Sequence, residues 1–387
     1  MFSLKNPISI SHFLYISLSG IILLISLFPV RVFGQTRLLD DKETSLLILQ
    51  AMDSTYNLNF EAAEQLTAKI EKRIPQHPAV FLLKAFQVNV KHIPLREGSP
   101  YYDQFVLLLR LSIEESEKLL EKDKDDVEGI FFSMASHGYL AQLYADNGKN
   151  MKALGEAKSA YSFIKIGFDL IDLYPEFYFS SGLFNYYREK YPEVHPYFKT
   201  VVWFFRSGDK KLGIEMLKKG AESAIFTRTE CLTYLLHIYL RYENQPTQSI
   251  KYAKILINLY PRDLIYTTMY VENLVRLKQY YKAIPDINRL KNSDKAFFRY
   301  IGEIFYGNYL EIALYDMKGA LDVYTRADKI ANDEHTRTPH YDSILFLGLG
   351  RVNKKMGEGQ IALSYFKKAA KSAEYSAQMD EAEYYLK

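Results

Sequence analysis

A chain of 387 residues with 48% hydrophobic and 25% charged side chains has enough apolar content for a continuous core, which excludes a disordered polymer. Its 49 Lys and Arg against 46 Asp and Glu leave a net charge of +3, too balanced for a general nucleic-acid binder. Cys231 is the only cysteine, so neither an internal disulfide nor a multi-cysteine metal site can form.

The first element is a targeting segment. Lys5 opens it, Phe13 to Val30 is an almost unbroken apolar run, and Val32, Phe33 and Gly34 place modest side chains at a cleavage position. This is the layout of a secretory signal peptide over residues 1–34, cut after Gly34. The run is also long enough to span a bilayer, so a retained N-terminal anchor is the structural alternative. No cysteine stands near the cut, so a lipoprotein is not expected. The chain is expected to be exported and periplasmic or envelope-associated.

From Thr44 onward one 34-residue pattern recurs in several copies. Leu47, Ala51, Phe60, Ala63 and Pro75 form the first copy, and Phe81 and Ala85 keep register in a second starting at Pro78. A third, near Met134, carries Leu140, Ala141, Tyr144, Gly148, Ala153, Ala157 and Ala160, with its second helix read as running from Met151 to Tyr174. Between Tyr174 and Phe205 the chain holds thirteen aromatics, including its only tryptophan, Trp203. Pro175 to Arg188 reads as a first helix with Ser181-Gly182 as a close-approach pair. Its partner resumes at Gly208-Asp209, leaving an insertion at 189–207. Copies starting at Glu230 and Leu264 follow, then a degenerate one near Ile301 with Ala320, Tyr324 and Ala327. The clearest copy runs from Ser343 to Lys371, with Phe346, Leu349-Gly350, Gly357, Ala362, Phe366 and Ala369. Residues 372–387 read as a final helix covering the end of the array.

These spacings resemble the tetratricopeptide repeat family, in which small residues let two antiparallel helices approach, larger ones fill the space around them, and proline ends the second helix. The resemblance implies an all-α, tetratricopeptide-like α-α superhelix of about eight helix pairs over residues 35–387, interrupted by the aromatic-rich insertion. It also implies a concave wall lined by the first helix of each pair. Carried onto this sequence, that wall holds Tyr234, Arg241, Tyr242, Glu272, Arg276, Arg351, Lys354 and Lys355, a set suited to an extended peptide bearing carboxylates. Tyr197, Phe198, Trp203, Phe204 and Phe205 are either extra core or an apolar patch for a partner or a lid.

Chemistry finds little support. There is no His-Glu-x-x-His, no Gly-x-Ser-x-Gly and no phosphate-cradling glycine loop. His335 and His340 read as solvent-facing loop residues rather than metal ligands, and His237 as a packing residue. No catalytic residue, cofactor or metal is expected. The expectation is a non-catalytic interaction scaffold of the bacterial envelope with a protein or peptide partner, no nucleic acid, and membrane contact left open. A ligand-binding receptor built on the aromatic insertion is the alternative, and a helical-repeat enzyme is a third.

Overall fold

The computed structural model describes residues 38–39, 41–194 and 205–387, without the side chain of Val194. The expected signal segment and Tyr197, Phe198, Trp203 and Phe204 lie outside the described residues. The chain divides into two compact units, 1–42 and 43–387. The architecture below is that of the second, whose first helix opens at the boundary.

Among the described residues the regular structure is helical throughout, in seventeen α-helices. They form eight antiparallel pairs. α1 (Lys42–Tyr56) is followed by α2 (Phe60–Arg73), and α3 (Pro78–His92) by α4 (Pro100–Lys122). The next pairs are α5 (Val127–Asp146) with α6 (Asn150–Leu170), and α7 (Phe177–Val194) with α8 (Lys210–Ser223). Then come α9 (Arg228–His237) with α10 (Pro246–Leu259), and α11 (Leu264–Arg276) with α12 (Tyr280–Lys291). The last pairs are α13 (Ala296–Asn308) with α14 (Met317–Asp333), and α15 (Pro339–Lys355) with α16 (Gly359–Ser372), before α17 (Ser376–Leu386). From α2 onward each helix packs on the next, and first helices of neighbouring pairs touch at α3–α5, α7–α9, α11–α13 and α13–α15. This is a tetratricopeptide-like α-α superhelix.

The small residues do what the spacing requires. Ala51, Ala63, Ala85, Ala253, Ala283, Ala320, Ala327 and Ala369 are wholly buried, because each sits where a larger side chain would force two helices apart. A Cβ on Gly182 would lie 3.0 Å from the Gly213 carbonyl oxygen, and one on Gly213 would lie 2.7 Å from that of Gly182, so α7 and α8 meet backbone to backbone. Several helix starts are capped by side chains. Asp126 accepts from Gly129 N–H at 2.7 Å, Asp209 from Lys211 and Leu212, and Asp263 from Ile265. The turn inside each pair needs one left-handed residue. Gly148 (φ +70°) and Gly357 (φ +90°) supply it cheaply, whereas Leu58, Asn244, Lys278 and Tyr315 adopt the same hand without that freedom.

Three local expectations are corrected. α6 ends at Leu170, four residues before Tyr174, where Tyr174 N–H closes a last bond to the Leu170 carbonyl. α7 runs past Arg188 to Val194 and takes in Pro192, which is tolerated in a final turn because few bonds follow it. His340 is no loop residue. Pro339 starts α15, and His340 points into the interior with 3% exposure.

The superhelix also winds back on itself. Tyr56 of α1 reaches Glu230 of α9, Asp53 accepts from Tyr260, and Asn57 donates to the Leu259 carbonyl. Tyr375, ahead of α17, meets His237 and Tyr242. The inner wall is therefore divided into two closed regions, one between pairs one and five and one between pair five and the C-terminus.

Candidate functional site

The first region encloses a cavity of about 480 Å³, within the range of small-molecule sites. Its wall is built from the inward faces of α1, α3, α5, α6, α7 and α9. Ile48, Leu83, Phe86, Phe131, Phe132, Phe179 and Leu183 line it, with Met52 and Met134 as adaptable surfaces. Gly138 of α5 opens onto it, and a Cβ there would meet no atom within 4 Å. Tyr139, Tyr187 and Tyr234 contribute their rings.

One carboxylate stands in this wall. Glu230, in the first turn of α9, accepts a 2.5 Å hydrogen bond from Tyr56 on Oε1, while its Oε2 is buried with no partner. Burial pushes its carboxyl up to about 7, with Glu176 adding repulsion and the Tyr56 bond opposing both. Between the ordinary carboxylate value and about pH 7 the folded chain holds this proton and the unfolded chain does not. Stability from this group is therefore greatest below that window and is lost as pH rises through it. Glu230→Gln keeps an acceptor for Tyr56 and removes the charge. It should raise stability near pH 8 by about 1–3 kcal/mol and change little near pH 5. Calorimetry at both pH values checks this, and an equal change at both would show that the group does not titrate in that window.

The second region is ionic. Two helices end in a π turn, α9 at Ile238–Tyr242 and α13 at Tyr309–Ala313, and each wider turn carries one charged residue inward. Arg241 donates to Glu272 at 3.0 Å and to Tyr341 Oη at 3.1 Å, with its guanidinium 5.7 Å from the ring centres of Tyr341 and Tyr375. His340 Nε2 lies 3.0 Å from the other oxygen of Glu272. Burial works to raise the Glu272 carboxyl, but Arg241 and then His340 outweigh it and hold it well below the usual range. Burial lowers His340, so we read it as neutral and donating to Glu272. His237 is likewise pushed down to about 3, by burial first and then by Arg241. Glu311 in the other π turn receives a two-pronged bond from Arg351, 2.8 Å on each arm, and Arg351 also reaches Glu381 at 2.6 Å.

The residues expected on the concave wall thus fall into four places. Tyr234 lines the apolar cavity, packed against Phe179 and Tyr187. Arg241 and Glu272 turn to each other, and Tyr242 packs beside them on Tyr375 and Tyr187. Arg351 is locked to Glu311, with the Lys355 amino group 3.8 Å from the same carboxylate and Lys354 over the Tyr385 ring at 4.9 Å. Arg276 bonds Asn244 at the surface. Of the aromatic patch, Phe205 alone is described. It packs edge-on to Tyr161, which stacks on cavity-lining Phe184. Glu230, His340 and Glu311 escaped sequence reasoning. An acid in a helix's first turn reads as a complement to the helix dipole, and nothing local marks what lies across the superhelix. No cluster of three or more metal-ligating side chains occurs among the described residues.

No family model matches the chain. No curated protein matches it either. Among solved structures, the crystal structure of yeast Tom70 is similar at a TM-score of 0.35 and 10% identity, covering 90% of each chain. The human IFIT1 dimer with m7Gppp-AAAA has a TM-score of 0.34 and 14% identity, covering 86% of this chain and 95% of that one. The same human protein with PPP-AAAA gives a TM-score of 0.35 at equal identity and coverage.

Proposed function

We propose that this chain is a non-catalytic binding protein of the bacterial envelope, exported by its N-terminal segment, whose inner wall receives the apolar part of a ligand. The observation that supports this reading is the cavity between the first and fifth helix pairs. It combines apolar walls of small-molecule size with a single charged side chain, Glu230, among its described lining residues. Gly138→Phe offers a test, because its ring enters open space and a phenylalanine suits a helix better than glycine. Native mass spectrometry of the chain from its own envelope should show a retained small molecule. The Gly138→Phe variant should lose it at unchanged helical content. Equal retention by both would overturn the reading.

A scaffold role for a protein or peptide partner is the second reading. It is favoured by the exposed cations Lys354 and Lys355 and the half-buried Arg276 near the C-terminal region, which a partner's carboxylates could meet. Reversing these three charges should abolish capture of a cross-linked partner and leave the cavity ligand in place.

A further inference from the structure

The cavity's polar complement is lopsided. Among the described residues its lining holds one carboxylate, three tyrosines, the neutral polar side chains of Gln142, Ser180 and Thr227, and no lysine, arginine or histidine. Elsewhere among the described residues the deeply buried carboxylates have answers. Glu272 has Arg241, Glu311 has Arg351, and Glu176 has three backbone N–H groups. Glu230 has the Tyr56 hydroxyl on one oxygen and nothing on the other, although that second oxygen is shut away from bulk water. A carboxylate that lines a ligand-sized cavity with one of its oxygens unanswered is half of a charge pair.

We infer that the cavity binds a small organic cation, an apolar primary amine whose ammonium pairs with the Glu230 carboxylate while its hydrocarbon body fills the space beneath Phe86, Phe131 and Phe179. This rests on the reading of the cavity as a ligand site and names the class of ligand. The faces of Tyr139 and Tyr234 favour a cation at the same place, since an aromatic ring presents negative potential above its plane. An anionic ligand would meet Glu230 with no compensating charge from the wall. A neutral one would offer the Glu230 carboxylate a single weak donor at best.

Among the described residues, the surroundings of Glu230 do not supply the missing cation. From α1 it faces Tyr56, with Asp53 beyond, and from α5 Tyr139. Glu176 adds negative charge from ahead of α7, and Tyr266 of α11 adds a neutral hydroxyl. On α9 itself, Cys231 and Tyr234 stay neutral, their protons held by burial. Arg228 of the same helix lies 3.9 Å from Asp53. Binding of an ammonium should therefore strengthen as the free Glu230 loses its proton.

Three probes sharing one tail separate the possibilities: n-octylamine, n-octanol and n-octanoate, titrated calorimetrically into the full chain and into Glu230→Gln. Near pH 8 the amine should bind wild type at least about tenfold more tightly than the alcohol or the carboxylate. Near pH 6 its affinity should fall about tenfold, as the ionised fraction of a group with pKa about 7 drops from about nine-tenths to one-tenth. Glu230→Gln should bind octanol as wild type does and lose the preference for amine. If octanol or octanoate matches the amine, or the preference survives in Glu230→Gln, the cation assignment is overturned and the cavity reading stands. If none of the three binds, the cavity reading falls with it.

Discussion

Arg241→Met should lower stability by about 3–5 kcal/mol, among the largest losses available to a single substitution in this chain. Glu272 is 1% exposed and its charge is answered chiefly by the Arg241 guanidinium. Methionine fills much of the volume of the arginine stem but leaves a buried carboxylate facing a neutral histidine. The cost is the desolvation of that charge rather than the loss of an attractive contact. Two consequences distinguish this account from simple packing damage. Adding Glu272→Gln should recover most of the loss, because the charge that needed an answer is gone. The defect should also shrink in acid. The wild-type pair contributes stability above the ordinary carboxylate pKa and loses it as pH falls through the depressed value, whereas in the variant Glu272 takes up a proton sooner. Urea midpoints of the single and double variants near pH 7 and pH 4 check both points. A double variant no more stable than Arg241→Met would mean that Arg241 acts through its contacts with Tyr341 and Tyr375 instead.

How much of this was legible follows from what a repeat encodes. The 34-residue period marks which residues face the partner helix and which face inward, so the buried alanines, the Gly182 and Gly350 approaches and the Gly148 and Gly357 turns could be named beforehand. A Cβ on Gly350 would stand 2.5 Å from the Phe366 ring, as the small-residue position requires. The period says nothing about what an inward residue meets once the array has wound up. Arg241, Glu272 and Arg351 were legible as inward-facing. That Arg241 and Glu272 answer each other, while Arg351 finds Glu311, depends on curvature and on two π turns, each of which adds a residue to its helix and leaves no compositional mark. Asn185, Asn273, Asn308 and Asn353 are all buried, and each donates to the carbonyl four residues back, so the amide nitrogen finds its acceptor within its own helix. The cavity was invisible because it lies between elements nearly two hundred residues apart.

The second large effect is expected at Glu176, which lies just before α7 beside Pro175. Local sequence offers it only as an acid at a helix start. Its carboxylate instead crosses to the segment between α8 and α9, some fifty residues on, and accepts from the backbone N–H groups of Ile225 (2.7 Å), Phe226 (3.1 Å) and Thr227 (2.9 Å) and from the Thr227 hydroxyl (3.1 Å). These donors precede α9 and have no helical partner of their own, so the side chain substitutes for the missing carbonyls. Glu176→Ala leaves them buried and unanswered. With bonds to a charged acceptor contributing about 1.5–3 kcal/mol each, non-additively, the loss should be on the order of 4–6 kcal/mol. Glu176→Gln keeps one acceptor oxygen but points an amide donor at backbone donors, so its cost should fall between alanine and wild type. Hydrogen exchange locates the damage. In the alanine variant the amides of 225–227 should lose protection ahead of the α15–α16 pair, whose packing is independent of Glu176. Phe226 and Thr227 also border the cavity, so octanol binding should weaken in parallel with that loss of protection. Uniform loss of protection along the whole array would instead show that this segment has no autonomy, and that Glu176 supports the superhelix as one cooperative unit.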